Sequence, residues 1–205
     1  MKPYTIGLDL GGTNSEFGIV DREGNIVASS TMKTGGFATA DDYVDAAIKC
    51  LMPIIEQVGG LEKIEYMGAG APNGNYLNGC IEFAPNLPWA HDSKVPLAQM
   101  FSDRLGGLPV HLTNDANAAA MGEMAYGAAR GMKNFIMITL GTGVGGGIII
   151  DNKVYSGFNY AGAELGHIVI RCDGRQCSCG RKGCWEAYSS ATGLINMTKE
   201  KLAEC

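Results

Sequence analysis

Tyr4-Thr5-Ile6-Gly7-Leu8-Asp9-Leu10-Gly11-Gly12-Thr13-Asn14-Ser15-Glu16-Phe17-Gly18-Ile19-Val20 decides how the whole chain is read. Tyr4 to Leu10 reads as a buried strand and Ser15 to Val20 as its hairpin partner, with Gly11-Gly12-Thr13-Asn14 as the turn. Glycines in a tight hairpin let backbone N–H groups face an anion with no Cβ in the way. The Thr13 hydroxyl adds a donor. Asp9, just before the turn, is placed to hold a divalent cation, usually through water. The stretch is neither a dinucleotide fingerprint, which leads from strand to helix, nor the lysine-bearing phosphate loop. Taken alone, it is also compatible with an ordinary glycine hairpin.

The same device returns about 130 residues later. Phe135 to Leu140 reads as a strand, Gly141-Thr142-Gly143-Val144-Gly145-Gly146-Gly147 as its turn, and Ile148 to Asp151 as the returning strand. Two such turns point to the phosphates of a nucleotide and to two similar domains, 1–112 and 113–205, with a boundary near Leu112. Between the turns, Ile26 to Thr31 predicts a third strand. Apolar residues at helical spacing from Tyr43 to Ile55 predict a helix over Asp41 to Val58, weakened or kinked at Pro53. Ile64 to Gly70 predicts a strand, Ala71 to Asn75 a loop of breakers, and Glu82 to His91 an irregular segment. A short helix over Leu97 to Leu105 and a strand over Val110 to Thr113 follow. Asn114-Asp115 then opens an alanine-rich helix. Ser189 to Glu204 reads as helical and stops with no strand after it, so the second domain is expected to be incomplete.

Composition narrows the classes. Hydrophobic residues at 46% against 18% charged exclude a mostly disordered chain. Thirty glycines without a triplet period exclude collagen. A net charge of −5 and no basic stripe argue against a nucleic-acid partner. No apolar run is long enough for a membrane span, and the N-terminus runs straight into a strand with no signal-peptide pattern. The expectation is a cytoplasmic protein, where thiols stay reduced.

The seven cysteines then need another explanation. Cys50, Cys80 and Cys205 are scattered, and Cys172 stays unassigned. Cys177-x-Cys179-Gly180-x-x-Gly183-Cys184, with His167 upstream, matches the ligand set of a tetrahedral structural zinc site, and the glycines let the chain wrap an ion. A disulfide framework suits a reducing compartment poorly. Glu164 and Glu186 flank these residues. With the second imidazole nitrogen of His167 they would suit a polyhydroxylated substrate, although each could equally be a solvated surface carboxylate. Asn114-Asp115 lies at a strand-to-helix junction, where one of the pair serves as an N-cap. The other would be the base for a hydroxyl attacking a γ-phosphoryl group.

Together these residues resemble the ROK family of sugar kinases and sugar-responsive repressors, over essentially the whole chain. Asp9-Leu10-Gly11-Gly12-Thr13-Asn14 looks like the family's first phosphate motif and the Gly141 to Gly147 loop, with Thr142, Gly143 and Gly145, like its second. Glu164-Leu165-Gly166-His167 and the Cys177 to Glu186 segment look like its sugar and zinc signatures. Glu82-Phe83-Ala84-Pro85-Asn86-Leu87-Pro88-Trp89 resembles the sugar loop of ROK glucokinases. The resemblance implies an α/β, actin-like ATPase (ribonuclease H-like) fold, with mixed sheets flanked by helices and sugar and ATP meeting between two domains, the second incomplete here. It implies an ATP-dependent hexose kinase acting on the 6-hydroxyl of glucose, with Mg²⁺ and a structural Zn²⁺. Asp115 matches the catalytic base. Asn86, Asn114, Glu164, His167 and Glu186 match sugar contacts, and Gly70 and Asn73 lie in the loop that closes over the sugar. Homodimers are common in the family. ROK repressors carry an N-terminal helix-turn-helix, whereas this chain starts at the first strand, which favours the kinase branch. An N-acetylhexosamine or fructose kinase, and a truncated sugar-binding remnant without catalysis, stay open as alternatives.

Overall fold

Ile6, Leu8 and Leu10 are buried and alternate with more exposed neighbours along Tyr4–Leu10, the first strand, β1. Ser15, Phe17 and Ile19 do the same along β2, Asn14–Val20, and β3, Ile26–Lys33, follows. The computed structural model describes residues 1–158 and 162–204, so Cys205 lies outside the described residues. It divides into two compact units, Met1–Ala118 and Ala119–Cys205.

In the first unit β3 leads to helix α1, Ala40–Gln57, which starts with a capping box between Thr39 and Asp42. The helix runs through Pro53 without interruption. Pro53 sits on the exposed face, where water can serve the carbonyl it leaves unpaired, while Tyr43, Val44, Ala47, Leu51, Ile54 and Ile55 are buried on the other. Strand β4, Ile64–Ala71, comes next. Three very short strands, β5 (Gly74–Asn75), β6 (Cys80–Glu82) and β7 (Lys94–Val95), form a small antiparallel sheet where the sequence predicted loop and irregular chain. Helix α2, Leu97–Arg104, strand β8, Val110–Asn114, and helix α3, Asp115–Tyr126, complete the run.

The main sheet has the order β3-β2-β1-β4-β8. β1, β4 and β8 run parallel, and β2 and β3 are antiparallel to their neighbours. The apolar core gathers the inner face of this sheet with α1, α2 and the 81–90 segment. The boundary read near Leu112 differs from the division seen, which falls inside α3. β8 stays paired to β4 as far as Asn114, and that pairing keeps the start of α3 in the first unit.

The second unit begins with the latter part of α3 and continues with β9, Phe135–Leu140, β10, Val144–Ile150, and β11, Lys153–Val154, an antiparallel sheet in the order β11-β10-β9. The glycine turn is shorter than the sequence suggested. The chain is back in strand at Val144, so Gly145, Gly146 and Gly147 pair with Thr139, Ile138 and Met137. The helix expected over Ser189 to Glu204 is α5 (Ala191–Ala203), and a separate short helix, α4 (Glu186–Ser189), precedes it. Ser190 separates them and caps α5 by accepting the Gly193 N–H at 3.0 Å.

Candidate functional site

In the first unit the three parallel strands end together. Asp9 pairs with Gly70, Gly70 with Thr113, and Ala71 with Asn114, so these residues lie in a row at the carboxyl ends of β1, β4 and β8. Ligands of open α/β sheets bind at such ends. The first glycine turn leaves β1 at the same edge. The Gly11 N–H donates to the Asn14 carbonyl at 3.0 Å, which closes the turn and leaves Gly12 and Thr13 exposed.

Asp115 is the first residue of α3 and is exposed. Both members of the Asn114-Asp115 pair cap this helix. Asn114 Oδ1 accepts the N–H groups of Ala116 at 3.0 Å and Asn117 at 3.3 Å, and Asp115 Oδ1 accepts that of Ala116 at 2.8 Å. Gly70 belongs to β4 and not to the loop expected to hold it. Its place there has a steric reason, since a Cβ would stand 3.0 Å from that of Ala118 and 3.4 Å from the Asp115 Cα. The missing side chain lets α3 begin against the strand end. Burial, then the charges of Asp115 and Glu16, raise the Asp9 carboxyl above its ordinary value. Two neighbouring carboxylates at this edge form a field suited to a cation.

Asn73 adopts a left-handed backbone, φ 53°, and its side-chain amide donates to the carbonyls of Glu82 and Phe83 at 3.0 Å each. It therefore anchors the segment that carries Asn86. Asn86 is exposed and lies against Gly12, whose Cβ, if present, would be 3.5 Å from the Asn86 Cβ.

In the second unit the turn Gly141–Gly143 is closed by the Gly141 N–H on the Gly143 carbonyl at 3.0 Å. The Gly141 carbonyl in turn accepts the Ala191 N–H of α5 at 2.9 Å. Gly141 and Thr142 are exposed, whereas Gly145 is a strand residue. A 3-10 turn at Leu165–His167 packs on β10. Gly166 makes this approach feasible, because a side chain there would run into the Val144 carbonyl.

That turn delivers His167 to the cysteines. One donor atom from each of His167, Cys177, Cys179 and Cys184 lies within 4.8 Å of all the others. His167 Nδ1 is 3.7 Å from Cys177 Sγ, and the sulfurs of Cys179 and Cys184 are 3.7 Å apart, unbonded. Short bridges between Val169 and Cys184 and between Gln176 and Lys182 hold the loop in shape. Burial pushes the Cys177 thiol up to about 12. Burial opposes ionisation of Cys179 as well. Hydrogen bonds from the Arg181 backbone and side chain, and from Cys177 and Cys184, outweigh it and bring that thiol down to about 6. One imidazole and three thiols in this space fit a tetrahedral soft-metal site, and Cys172 is exposed outside it.

Glu186 begins α4 and faces this cluster. Its Oε1 accepts from Cys177 Sγ at 3.1 Å and Ser178 Oγ at 3.2 Å and lies 3.7 Å from His167 Nδ1. Its Oε2 accepts the Val144 N–H at 3.4 Å. The carboxylate thus ties the cysteine loop to the second glycine turn, a link the sequence did not disclose. Glu164 is exposed and precedes the turn that carries His167, whose N–H donates to the Glu164 carbonyl at 3.1 Å. Sequence reasoning also passed over Arg181, although it stands inside the cysteine motif. Its guanidinium donates to the His167 carbonyl at 3.0 Å.

Known proteins supply the last observations. A model of the ROK family matches residues 5–205. A glucokinase of Streptomyces coelicolor is 43% identical over 200 residues, covering 96% of this chain and 59% of that protein. A xylose repressor of Bacillus spizizenii is 34% identical over 204 residues, covering 97% of this chain and 51% of the repressor. The crystal structure of a ROK family glucokinase from Streptomyces griseus in complex with glucose and AMPPNP superposes with a TM-score of 0.80 at 42% identity, over 98% of this chain and 62% of that one. The chain thus spans about three fifths of the length of the glucokinases it matches.

Proposed function

Because the chain belongs to the ROK family and has its actin-like ATPase fold, we propose that it acts in an ATP-dependent hexose kinase that phosphorylates the 6-hydroxyl of glucose. The observation that carries this reading is the placement of Asp115 at the head of α3, beside Asp9, where three parallel strands end. Asp115 accepts the proton of the 6-hydroxyl as that oxygen bonds to the γ-phosphorus and the bond to ADP breaks. Phosphoryl transfer leaves little else for a protein to do beyond positioning and charge stabilisation. In the first turn the backbone N–H groups of Gly12 and Thr13, and in the second those of Thr142 and Gly143, donate to phosphate oxygens, while Gly11, Asn14 and Gly141 close the turns and Gly145 supports the second from its strand. Mg²⁺, when bound, neutralises phosphate charge, and Asp9 is the residue that would hold it, through water.

The sugar is read by Asn86, with Asn73 fixing its loop, by Asn114 and Asp115, and in the second unit by Glu164, His167 and Glu186. Gly70 contributes by making room for α3. His167, Cys177, Cys179 and Cys184 are the residues that would hold a structural Zn²⁺. Four protein ligands leave no open position, so the metal shapes the loop and does not activate water. With Nδ1 toward the thiols, His167 keeps Nε2 for a sugar hydroxyl. The glucose preference rests on the Asn86 segment. Reduced thiols suit the cytoplasm, and no described helix is long and apolar enough to cross a membrane. Homodimer formation belongs to the same proposal, on the family's habit.

The likeness to a xylose repressor favours a second reading, sugar binding without phosphoryl transfer. ADP release by the chain with Mg-ATP and a panel of hexoses, with Asp115→Asn as the blank, separates the two. Glucose-dependent release supports the kinase. Sugar binding with no release by any hexose supports the binding protein.

A further inference from the structure

Thr34 follows β3 directly and is fully buried. Each of its polar groups is engaged. Its N–H donates to the Thr13 carbonyl in the first glycine turn at 2.9 Å. Its carbonyl accepts the Trp89 indole N–H at 3.3 Å. Its hydroxyl pairs with Ser15 Oγ at 2.8 Å, and Ser15 pairs with the Tyr43 hydroxyl at 2.9 Å. The Trp89 ring lies on that of Tyr43, with centroids 4.6 Å apart and planes 16° from parallel, and Phe37 meets Tyr43 edge-on at 5.7 Å.

Trp89 belongs to the 3-10 turn Pro88–Ala90 that closes the segment carrying Asn86. In front, Asn86 rests against Gly12. Behind, the glycine turn and the Asn86 segment share Thr34. The two stretches are far apart in sequence and are joined at both sides. A buried polar network with its members paired is stiff, and stacked aromatics add to that.

We propose that Thr34 is a positioning residue, which holds the Gly11–Thr13 turn and the Glu82–His91 segment in one fixed relation. A sugar bound at Asn86 is then presented at a set distance from the phosphate turn. This functional consequence rests on the kinase reading, whereas the linkage itself does not. A misplacement of about 1 Å in such a reaction costs on the order of a hundredfold in rate, so the linkage has something to protect.

Trp89→Phe keeps a ring on Tyr43 and removes the donor to Thr34. Thr34→Val keeps the shape and removes the hydroxyl, and Thr34→Ser restores it. The measurement is amide hydrogen exchange at the hydrogen-bonded N–H groups of the two stretches, Gly11 and Thr34 at the glycine turn and Ala84 and Leu87 around Asn86, in the full chain, with ADP release measured beside it. In Trp89→Phe and Thr34→Val, exchange speeds up in both stretches together, by about tenfold, and Thr34→Ser stays near wild type. In the kinetics, kcat falls by more than the KM for hexose rises, again with rescue in Thr34→Ser. Faster exchange around Asn86 with an unchanged glycine turn overturns the proposal. So does a lower melting temperature with kcat and KM both unchanged. If Thr34→Val does not fold, Trp89→Phe decides alone. If the wild-type chain releases no ADP with any hexose, the kinase reading fails and the exchange data still decide the linkage.

Discussion

The two glycine turns are the same device on different supports. The first lies between β1 and β2, inside a five-stranded sheet whose apolar side chains join one large core. The second lies between β9 and β10 in a three-stranded sheet, and alternate residues of β9 face outward, with Ile136, Ile138 and Leu140 at 60%, 46% and 68% exposure. Every buried member of the core cluster belongs to the first unit. Among the described residues of the second unit, the buried apolar side chains are Val144 and Ile149 of β10, a few alanines, and Cys177 and Cys184. Hydrophobic area supports the first turn, whereas the second is tied through Glu186 to the loop that carries His167 and the three cysteines. The first should be robust to metal removal and sensitive to cavities. The second should show the reverse.

The hardest test removes chemistry and leaves both supports intact. Asp115→Asn should lower kcat by at least about a thousandfold, while hexose affinity measured by calorimetry stays within a few-fold, because positioning survives the loss of the base. Turnover close to wild type would take that role from Asp115.

Metal removal breaks the comparison from the other side. Chelation, or Cys184→Ser, should unfold the 167–186 loop and weaken hexose binding, since structural zinc binding is folding free energy. Bound zinc by elemental analysis and the melting profile by calorimetry report it. The expected profile loses stability in the second unit and keeps the transition of the first. A metal-free chain with unchanged sugar affinity would refute the role given to the loop.

Leu51→Ala sharpens the contrast at the first support. Leu51 is fully buried on α1, so truncation should cost about 2–5 kcal/mol in denaturant unfolding and leave zinc content untouched.

Asp9→Asn should act through pH. The folded state binds the Asp9 proton more tightly than the unfolded chain, so this residue lowers stability as pH rises above the ordinary carboxylate value of 3.8. The variant should therefore match wild type below about pH 4 and melt slightly higher near neutrality, at the expense of Mg-ATP binding. The gain is small because Asp9 is exposed. Smallest of all, Lys201→Ala removes an exposed pair with Glu204 and should shift stability by less than about 0.5 kcal/mol.

The readable parts of the sequence were those governed by periodicity and by ligand spacing. A buried-strand run and its partner around a glycine turn marked β1 and β2, helical spacing marked α1, and the cysteine motif with His167 marked a cluster that the structure brings within ligand distance. Other parts carried no such signal. Strands of two or three residues, as in β5 to β7, are shorter than any period. Gly145, Gly146 and Gly147 read as turn because glycine usually breaks a strand, yet here β10 must be bare for the 3-10 turn at Leu165–His167 to lie on it. The Glu186 link to Val144 and the Thr34 hub are tertiary pairings between distant residues, and one sequence cannot show them.

The parallel strands of the first unit also have a far end. The turn Asp21–Asn25 lies there, beyond β2, stapled by Asp21 Oδ1, which accepts the N–H groups of Glu23 at 3.0 Å and Asn25 at 2.8 Å. The Gly59-Gly60 corner before β4 stands at the same edge. A whole strand length separates both from Asp9, Gly70 and Thr113. A fluorophore or surface tether attached at Glu23 would give a handle for immobilising the protein, with the edge that carries Asp9 and Thr113 at the opposite end of the strands from the support.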